Sequence, residues 1–262
     1  MQTTRGARRV SIAAVGVFCL VFSGPPLAAQ AQLALSLNDR GLAAAERSDF
    51  AQAERLYGEA IQIWRGLGTA YEAQTAATLV NLGQTLCNEG KAGDGVSVLE
   101  QALALDRHSL GSKHLSTLTS LTALGHAYVL SGDSAHAETA LSEALAAERE
   151  LYPGDVLLEH TLLGLSLLRR QERRLDEALQ YGEEALNAAL KTGGELSPEA
   201  GMNYENVARL HRLAGRPDRA LPLFRKAVFI YERTLGLKDP SLAMLHSEVG
   251  LALLEDGEAA LA

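Results

Sequence analysis

Cysteine is almost absent from the 262-residue chain: Cys19 and Cys87 are the only two. Cys19 lies in an apolar N-terminal run, and removal of that run leaves Cys87 alone. No intramolecular disulfide is then possible, so the fold must rest on its hydrophobic core. A lone cysteine in a helix reads first as a small core residue, with a reactive thiol as the minor reading. Aromatics make up only 5% of the residues and form no strand-like runs. The signatures of common chemistries are missing as well: there is no HExxH, CxxC, Walker loop or GxSxG. No apolar run reaches the roughly 20 residues of a membrane span. Alanine and leucine are abundant instead, and both enter helices at little entropic cost. An all-α chain without cofactor, metal or catalytic machinery is expected.

Residues 1–31 have the order of a secretory signal. Arg5, Arg8 and Arg9 form a positive start, Val10 to Phe22 an apolar middle, and Gly24, Pro25 and Pro26 stop any helix there. Ala29-Gln30-Ala31 fits a small-x-small cleavage site. Export to a periplasmic or secreted location is expected, with cleavage after Ala31; an uncleaved anchor is the competing reading. The full chain carries a formal charge of -8. Without the three leading arginines, 21 basic residues face 32 acidic ones, a net of -11. Such a surface is a poor general binder of nucleic acid or of anionic lipid. No membrane association is expected after cleavage.

Internal repetition is the strongest signal. A small residue recurs at Gly41, Gly83, Gly125, Ser166, Ala208 and Gly250, in steps of 41 or 42. Twelve residues after each comes a second small residue: Ala53, Gly95, Ala137, Ala178, Ala220 and Ala262. Seven further on are Ala60, Ala102, Ala144, Ala185 and Ala227, each followed by an aliphatic. Small residues at such spacing let two antiparallel helices approach closely. Tyr57, Leu99, Leu141 and Phe224 recur in phase to fill the layers between hairpins. In the fourth repeat Gly182 takes that position, with Tyr181 beside it as the expected substitute. Gly90, Gly132, Gly215 and Gly257 are placed for left-handed turns between the helices. Ser197-Pro198 and Asp239-Pro240 each set a capping side chain before a first-turn proline. The expected helix pairs are 33–47 with 50–66, 70–89 with 92–109, and 114–131 with 134–150. They continue as 155–171 with 175–191, 197–214 with 217–234, and 239–256 with a stub.

These residues resemble the tetratricopeptide repeat: Leu-Gly, a turn glycine, an alanine, a large residue, then Ala-Leu. The usual period is about 34 residues. The extra length, about one turn per helix, resembles the repeats of the kinesin-light-chain class. Leu110-Gly111-Ser112-Lys113-His114 and Leu235-Gly236-Leu237-Lys238-Asp239-Pro240 look like that class's Leu-Gly-x-x-His-Pro link. Leu115 stands where proline is usual and Asp239 where histidine is. The resemblance implies a right-handed superhelical solenoid over residues 32–262, with about five full repeats and an incomplete sixth. Its expected role is a scaffold for a protein or peptide partner, not an enzyme. The alternative is the interaction portion of a larger protein whose catalytic domain is absent.

In such arrays the first helix of each hairpin lines the concave groove. Groove positions are expected three before the small-residue anchor and one, four and five after it. They include Gln84 and Asn88 in repeat two, Thr122 and His126 in repeat three, Arg170 and Gln171 in repeat four, and Arg209 and Arg212 in repeat five. Planar guanidinium groups suit bidentate carboxylate binding, and the resemblance likewise implies acidic, extended peptides. The competing expectation is that these arginines pair with in-chain acids such as Glu205. No lysine occupies a groove position, so capture of a C-terminal carboxylate by a Lys-Asn clamp is not expected. The run Arg169-Arg170 and Arg173-Arg174 reads as a solvated helix end. The helix near 239–256 is apolar around most of its circumference. It is expected to pair with a second copy as a two-fold dimer or with a partner domain, or else to fray.

Overall fold

The computed structural model describes residues 26–234, 236 and 239–261. Most of the expected signal segment, residues 1–25, the link residues Leu235, Leu237 and Lys238, and the last small residue, Ala262, lie outside the described residues. Those described contain eleven α-helices and no strand. In chain order they are α1 (Leu27–Glu46), α2 (Phe50–Leu67), α3 (Glu72–Asn88), α4 (Ala92–Ser109), α5 (Leu115–Ser131) and α6 (Ser134–Leu151). There follow α7 (Val156–Gln171), α8 (Leu175–Thr192), α9 (Pro198–Leu213), α10 (Pro217–Thr234) and α11 (Pro240–Leu261). Each helix packs on the next as an antiparallel neighbour. The odd helices α1, α3, α5 and α7 also approach one another in series, as do α9 and α11. That places the odd helices on the inner wall of the solenoid and the even helices outside.

The helices begin where side chains can satisfy free backbone N–H groups. Asp49, Asp133, Asp155 and Ser197 accept from Gln52, His136, Leu157 and Ala200. His114 Nδ1 accepts from the Ser116 N–H at 3.2 Å, and Asp239 from that of Ser241 at 2.8 Å. Two boundaries differ from the sequence reading. Helix α1 starts at Leu27, so Ala29-Gln30-Ala31 falls in its opening turns, and Ala31 packs on the first core cluster. Helix α11 runs unbroken through Gly257, which forms no turn.

The small-residue phase is a packing code. Ala53, Ala60, Ala102, Ala137, Ala144, Ala178, Ala185, Ala220 and Ala227 are fully buried, as are Tyr57, Leu99, Leu141 and Phe224. A Cβ added at Gly41, Gly83 or Gly125 would lie 2.6, 2.5 or 2.6 Å from Tyr57, Leu99 or Leu141 respectively. Each anchor glycine is therefore the socket for its own repeat's large residue. Repeat four inverts the arrangement: the anchor is Ser166 and the large position is Gly182. A Cβ at Gly182 would lie 3.2 Å from the Ser166 hydroxyl and 3.3 Å from Asn206 and Leu210 of α9, while Tyr181 is half-buried against the neighbouring core cluster. Ser166 donates to the Ala178 carbonyl, and Asn206 donates to Ser166.

The turns also follow the period. Gly90, Gly132 and Gly215 take φ of +91°, +82° and +69°, and the in-phase residues of repeats one and four are Ser48 and Arg173, at +59° and +63°. A left-handed conformation costs a residue with a Cβ roughly 1–2 kcal/mol. Arg173→Gly removes that cost but loosens the unfolded chain. A net gain of about 0.5–1 kcal/mol in urea-denaturation stability is expected.

Candidate binding groove

The groove positions separate by depth. Those three residues before the anchors of repeats two to four lie beneath the surface: Val80, Thr122 and Leu163 are buried, whereas Glu205 in repeat five is half-buried. Thr122 is therefore not a groove residue. Its hydroxyl sits 2.7 Å from that of Thr161 and donates to Glu148 Oε1 at 3.2 Å, inside the α5–α6–α7 core. His126 is also committed elsewhere. Its Nε2–H donates to the His160 carbonyl at 2.9 Å, a contact made possible by the missing side chain of Gly164. Desolvation pushes the His126 pKa down, so the neutral ring acts as a strut between α5 and α7.

Gln84 and Asn88 are exposed on α3, and Gln171 is exposed at the end of α7. The Gln171 amide donates to the Val129 carbonyl at 3.1 Å, ties α7 to α5 and keeps its oxygen available. Cys87 is half-buried against Gly95. Burial raises its thiol pKa, which keeps the sulfur protonated and unreactive.

The three arginines share one stretch of the inner wall but not one state. Arg209 binds Glu205 at 2.6 Å and Glu248 at 3.2 Å; Arg212 binds Glu248 at 3.0 Å and Glu255 at 2.9 Å. Both are thus neutralised by acids of α9 and α11, the outcome anticipated for Glu205. Arg170 makes no hydrogen bond or ion pair with a described residue. Burial weighs most against its charge and the Arg209 guanidinium adds to this, while Glu248 offsets them in part. An arginine cannot shed its proton under such pressure. Arg170 is therefore a half-buried cation with no direct ion pair among the described residues, and Glu248, already shared by Arg209 and Arg212, offsets it only in part.

The basic run around it is not a solvated helix end as a whole. Arg169 is buried, reaching Glu138 at 2.6 Å, Glu172 at 3.0 Å and Glu177 at 3.3 Å. Arg174 is clamped by Glu172 and Glu177. Consecutive residues of a helix face apart by about 100°, so Arg169 braces the hairpin while Arg170 turns to the groove. Spacing from the Ser166 anchor marks Arg170 as a groove position but gives no signal that Arg169 is buried among three carboxylates.

Models of the tetratricopeptide repeat match residues 33–67, 74–150 and 157–233. The chain belongs to the tetratricopeptide-repeat family. With the family comes the right-handed superhelical course of its helix pairs, a fold commonly used as a protein-interaction scaffold. No curated protein matches the sequence. Among solved structures the chain is similar to BtubC (BKLC) from P. vanneervenii, at 18% identity and a TM-score of 0.63, covering 89% of this chain and 85% of that one. It is similar too to a Podosopora anserina putative kinesin light chain with nearly identical repeats: 20% identity, TM-score 0.60, 79% and 97% covered. A third likeness is the Rap conjugation gene regulator of plasmid pLS20 in complex with the Phr* peptide. There the identity is 16%, the TM-score 0.66, and the coverage 85% of this chain and 60% of that one. At these identities the likeness is one of fold.

Proposed function

We propose that this tetratricopeptide-repeat protein is a scaffold that takes an extended, acidic peptide or protein segment along its inner wall, anchored on Arg170. The carrying observation is the half-buried, only partly compensated Arg170 beside two arginines whose charges are already met. A ligand carboxylate restores the missing counter-ion in a partly desolvated place, where a charge pair is worth more than on an open surface. Gln84, Asn88 and Gln171 offer hydrogen bonds along the same wall. The likeness in fold to the Rap regulator, solved in complex with a peptide, supports a peptide as the ligand. The test is fluorescence anisotropy with a labelled Glu/Asp/Gly probe that has no apolar residue. Arg170→Glu is expected to weaken binding by about tenfold or more and to flatten its salt dependence. Equal affinity in that variant would place the ligand elsewhere.

Self-association through α11 belongs to the same reading. Met244, Leu251 and Leu254 lie on one exposed face, and a Cβ at Gly250 would meet nothing within 4 Å. The matching glycines of repeats one to three are filled sockets. Ser247 and Ala243 share this face, and the two acids at its edge, Glu248 and Glu255, are paired with Arg209 and Arg212, so two copies meet across a two-fold axis with little like-charge repulsion. Sedimentation at tens of micromolar is expected to show a dimer, and Leu251→Glu with Leu254→Glu a monomer. A monomeric parent protein would end the proposal.

A further inference from the structure

The outer helices carry a ladder of side-chain contacts from one repeat to the next. Arg65 Nη2 donates to Gln101 at 3.2 Å, Arg107 to Glu143 at 2.8 Å, and Arg149 to Glu184 at 2.5 Å. Donors and acceptors each recur in the phase of the repeat. At the next step the donor position is Leu190 and the acceptor position is Lys226, so the ladder ends with its sign reversed. Lys226 finds no carboxylate. Its ammonium lies 4.8 Å from the centre of the Tyr204 ring and donates to the Tyr204 hydroxyl at 3.3 Å.

Lys226 has company. Arg219, Pro222, Arg225, Lys226, Phe229 and Arg233 share the outward face of α10 at helical spacing, and all six are exposed. The four cations make no ion pair among the described residues. The corresponding outward positions of α8 include Glu177, Glu183 and Glu184, and those of α6 include Glu143 and Glu150. Exposed Asp218 and Glu232 lie beside Arg225 on the same side of α10, so a face with two surplus positive charges follows acidic ones on a chain whose net charge is -8. It also has an apolar centre. Phe229 and Leu196 are 49% and 53% exposed. With Tyr204 and Ile230 they line a hollow of about 290 Å³, with Arg225 and Lys226 also on its wall. Glu195 is the one acid there.

We infer that the outward face of α10 is a second docking surface, for an acidic protein segment that seats one leucine- or phenylalanine-like side chain between Leu196 and Phe229. This goes beyond the groove reading, since it lies on the opposite wall. Exposed charge pairs contribute little singly. Four cations around an apolar anchor supply both attraction and a central contact, the pattern of an interface hot spot. The hollow is just below the roughly 300–1,000 Å³ of small-molecule sites, a size for one side chain. Two exposed apolar residues make too small a face to enter a bilayer, and the acidic remainder of the chain opposes nucleic acid.

The experiment uses a fluorescein-labelled Glu/Asp peptide with a central Leu-Phe pair, in an Arg170→Glu background that silences the groove. Arg225→Glu with Lys226→Glu is expected to weaken binding by about tenfold or more, and Phe229→Ser by about threefold or more. These positions are exposed, so the helical circular dichroism should be unchanged. Unaltered affinity in both variants overturns the proposal. So does equal binding of a probe with Gly-Gly in place of Leu-Phe, or equal competition by a single-stranded oligonucleotide or by phosphatidylserine vesicles. Failure of the groove reading shows separately, in the Arg170→Glu comparison with the apolar-free probe.

Discussion

Leu141→Ala is expected to cost about 3–4 kcal/mol of unfolding free energy, within the range for a fully buried leucine that leaves a cavity. Leu141 is 0% exposed. It is wedged between two glycines: a Cβ at Gly125 would lie 2.6 Å from its Cδ2, and one at Gly164 would lie 3.0 Å from it. One side chain therefore joins α5, α6 and α7. Gly125→Ala alone overpacks that junction, a cost of about 1–3 kcal/mol, against which alanine returns about 1 kcal/mol of helix propensity. Combining the two changes removes the clash, because the new methyl enters the space the leucine has left. The double variant should be more stable than Leu141→Ala by about 1 kcal/mol, a coupling readable in a double-mutant cycle. The chain contains its own precedent, since Ser166 and Gly182 in repeat four are a larger anchor facing a smaller partner. Simple additivity in urea denaturation would show that Gly125 is not the socket for Leu141.

The architecture was legible because it depends on residue size. A helix pair that must approach closely tolerates only small side chains at the contact, so the phase of Gly41, Gly83 and Gly125 carries over directly into packing. The groove was only partly legible because depth depends on neighbours. Thr122 and Gln84 are both polar and both near an anchor. Thr122 lies three before its anchor, where Val80 and Leu163 are buried too, and is bonded to Glu148 there; Gln84, one after its anchor, stays exposed. Spacing within α9 reports the Arg209–Glu205 pair, but not Glu248 and Glu255, some 40 residues downstream, which complete the neutralisation of Arg209 and Arg212. The outer ladder did leave a trace. Arg65, Arg107 and Arg149 repeat every 42 residues, a charged periodicity as regular as that of the alanines. Ser48 and Arg173 show the opposite case, in which the period demanded a left-handed turn from residues that do not advertise one.

Glu148→Gln is expected to change how stability depends on pH. Asp106, Glu148 and Glu159 are buried at 2%, 0% and 0% exposure. Each keeps one oxygen hydrogen-bonded: Asp106 to Ser120, Glu148 to Thr161 and Thr122, and Glu159 to Asn203. The second oxygen of each finds no partner. Desolvation is the main force raising all three pKa values, and the hydrogen bonds oppose it; Asp155 and Glu199 add repulsion at Glu148 and Glu159. A carboxyl whose pKa is raised on folding stabilises most below its unfolded value, near 4. That stabilisation is lost as pH rises through the folded value, at up to about 1.4 kcal/mol per pH unit for each group. His126, His160 and His211 act in the opposite sense, since burial lowers their pKa values. Their contribution is present above about pH 6.5 and is lost as pH falls. The parent protein shows the sum of these slopes. Subtracting its curve from that of Glu148→Gln isolates one carboxyl, because the glutamine still accepts from Thr122 and Thr161 but cannot ionise. Its buried amide adds an offset that does not vary with pH. Urea denaturation at pH 4, 5.5 and 7.5 should find the variant gaining on the parent as pH rises, by about 1–2 kcal/mol across the range. A difference that is flat with pH would mean that Glu148 ionises as readily in the folded chain as in the unfolded one.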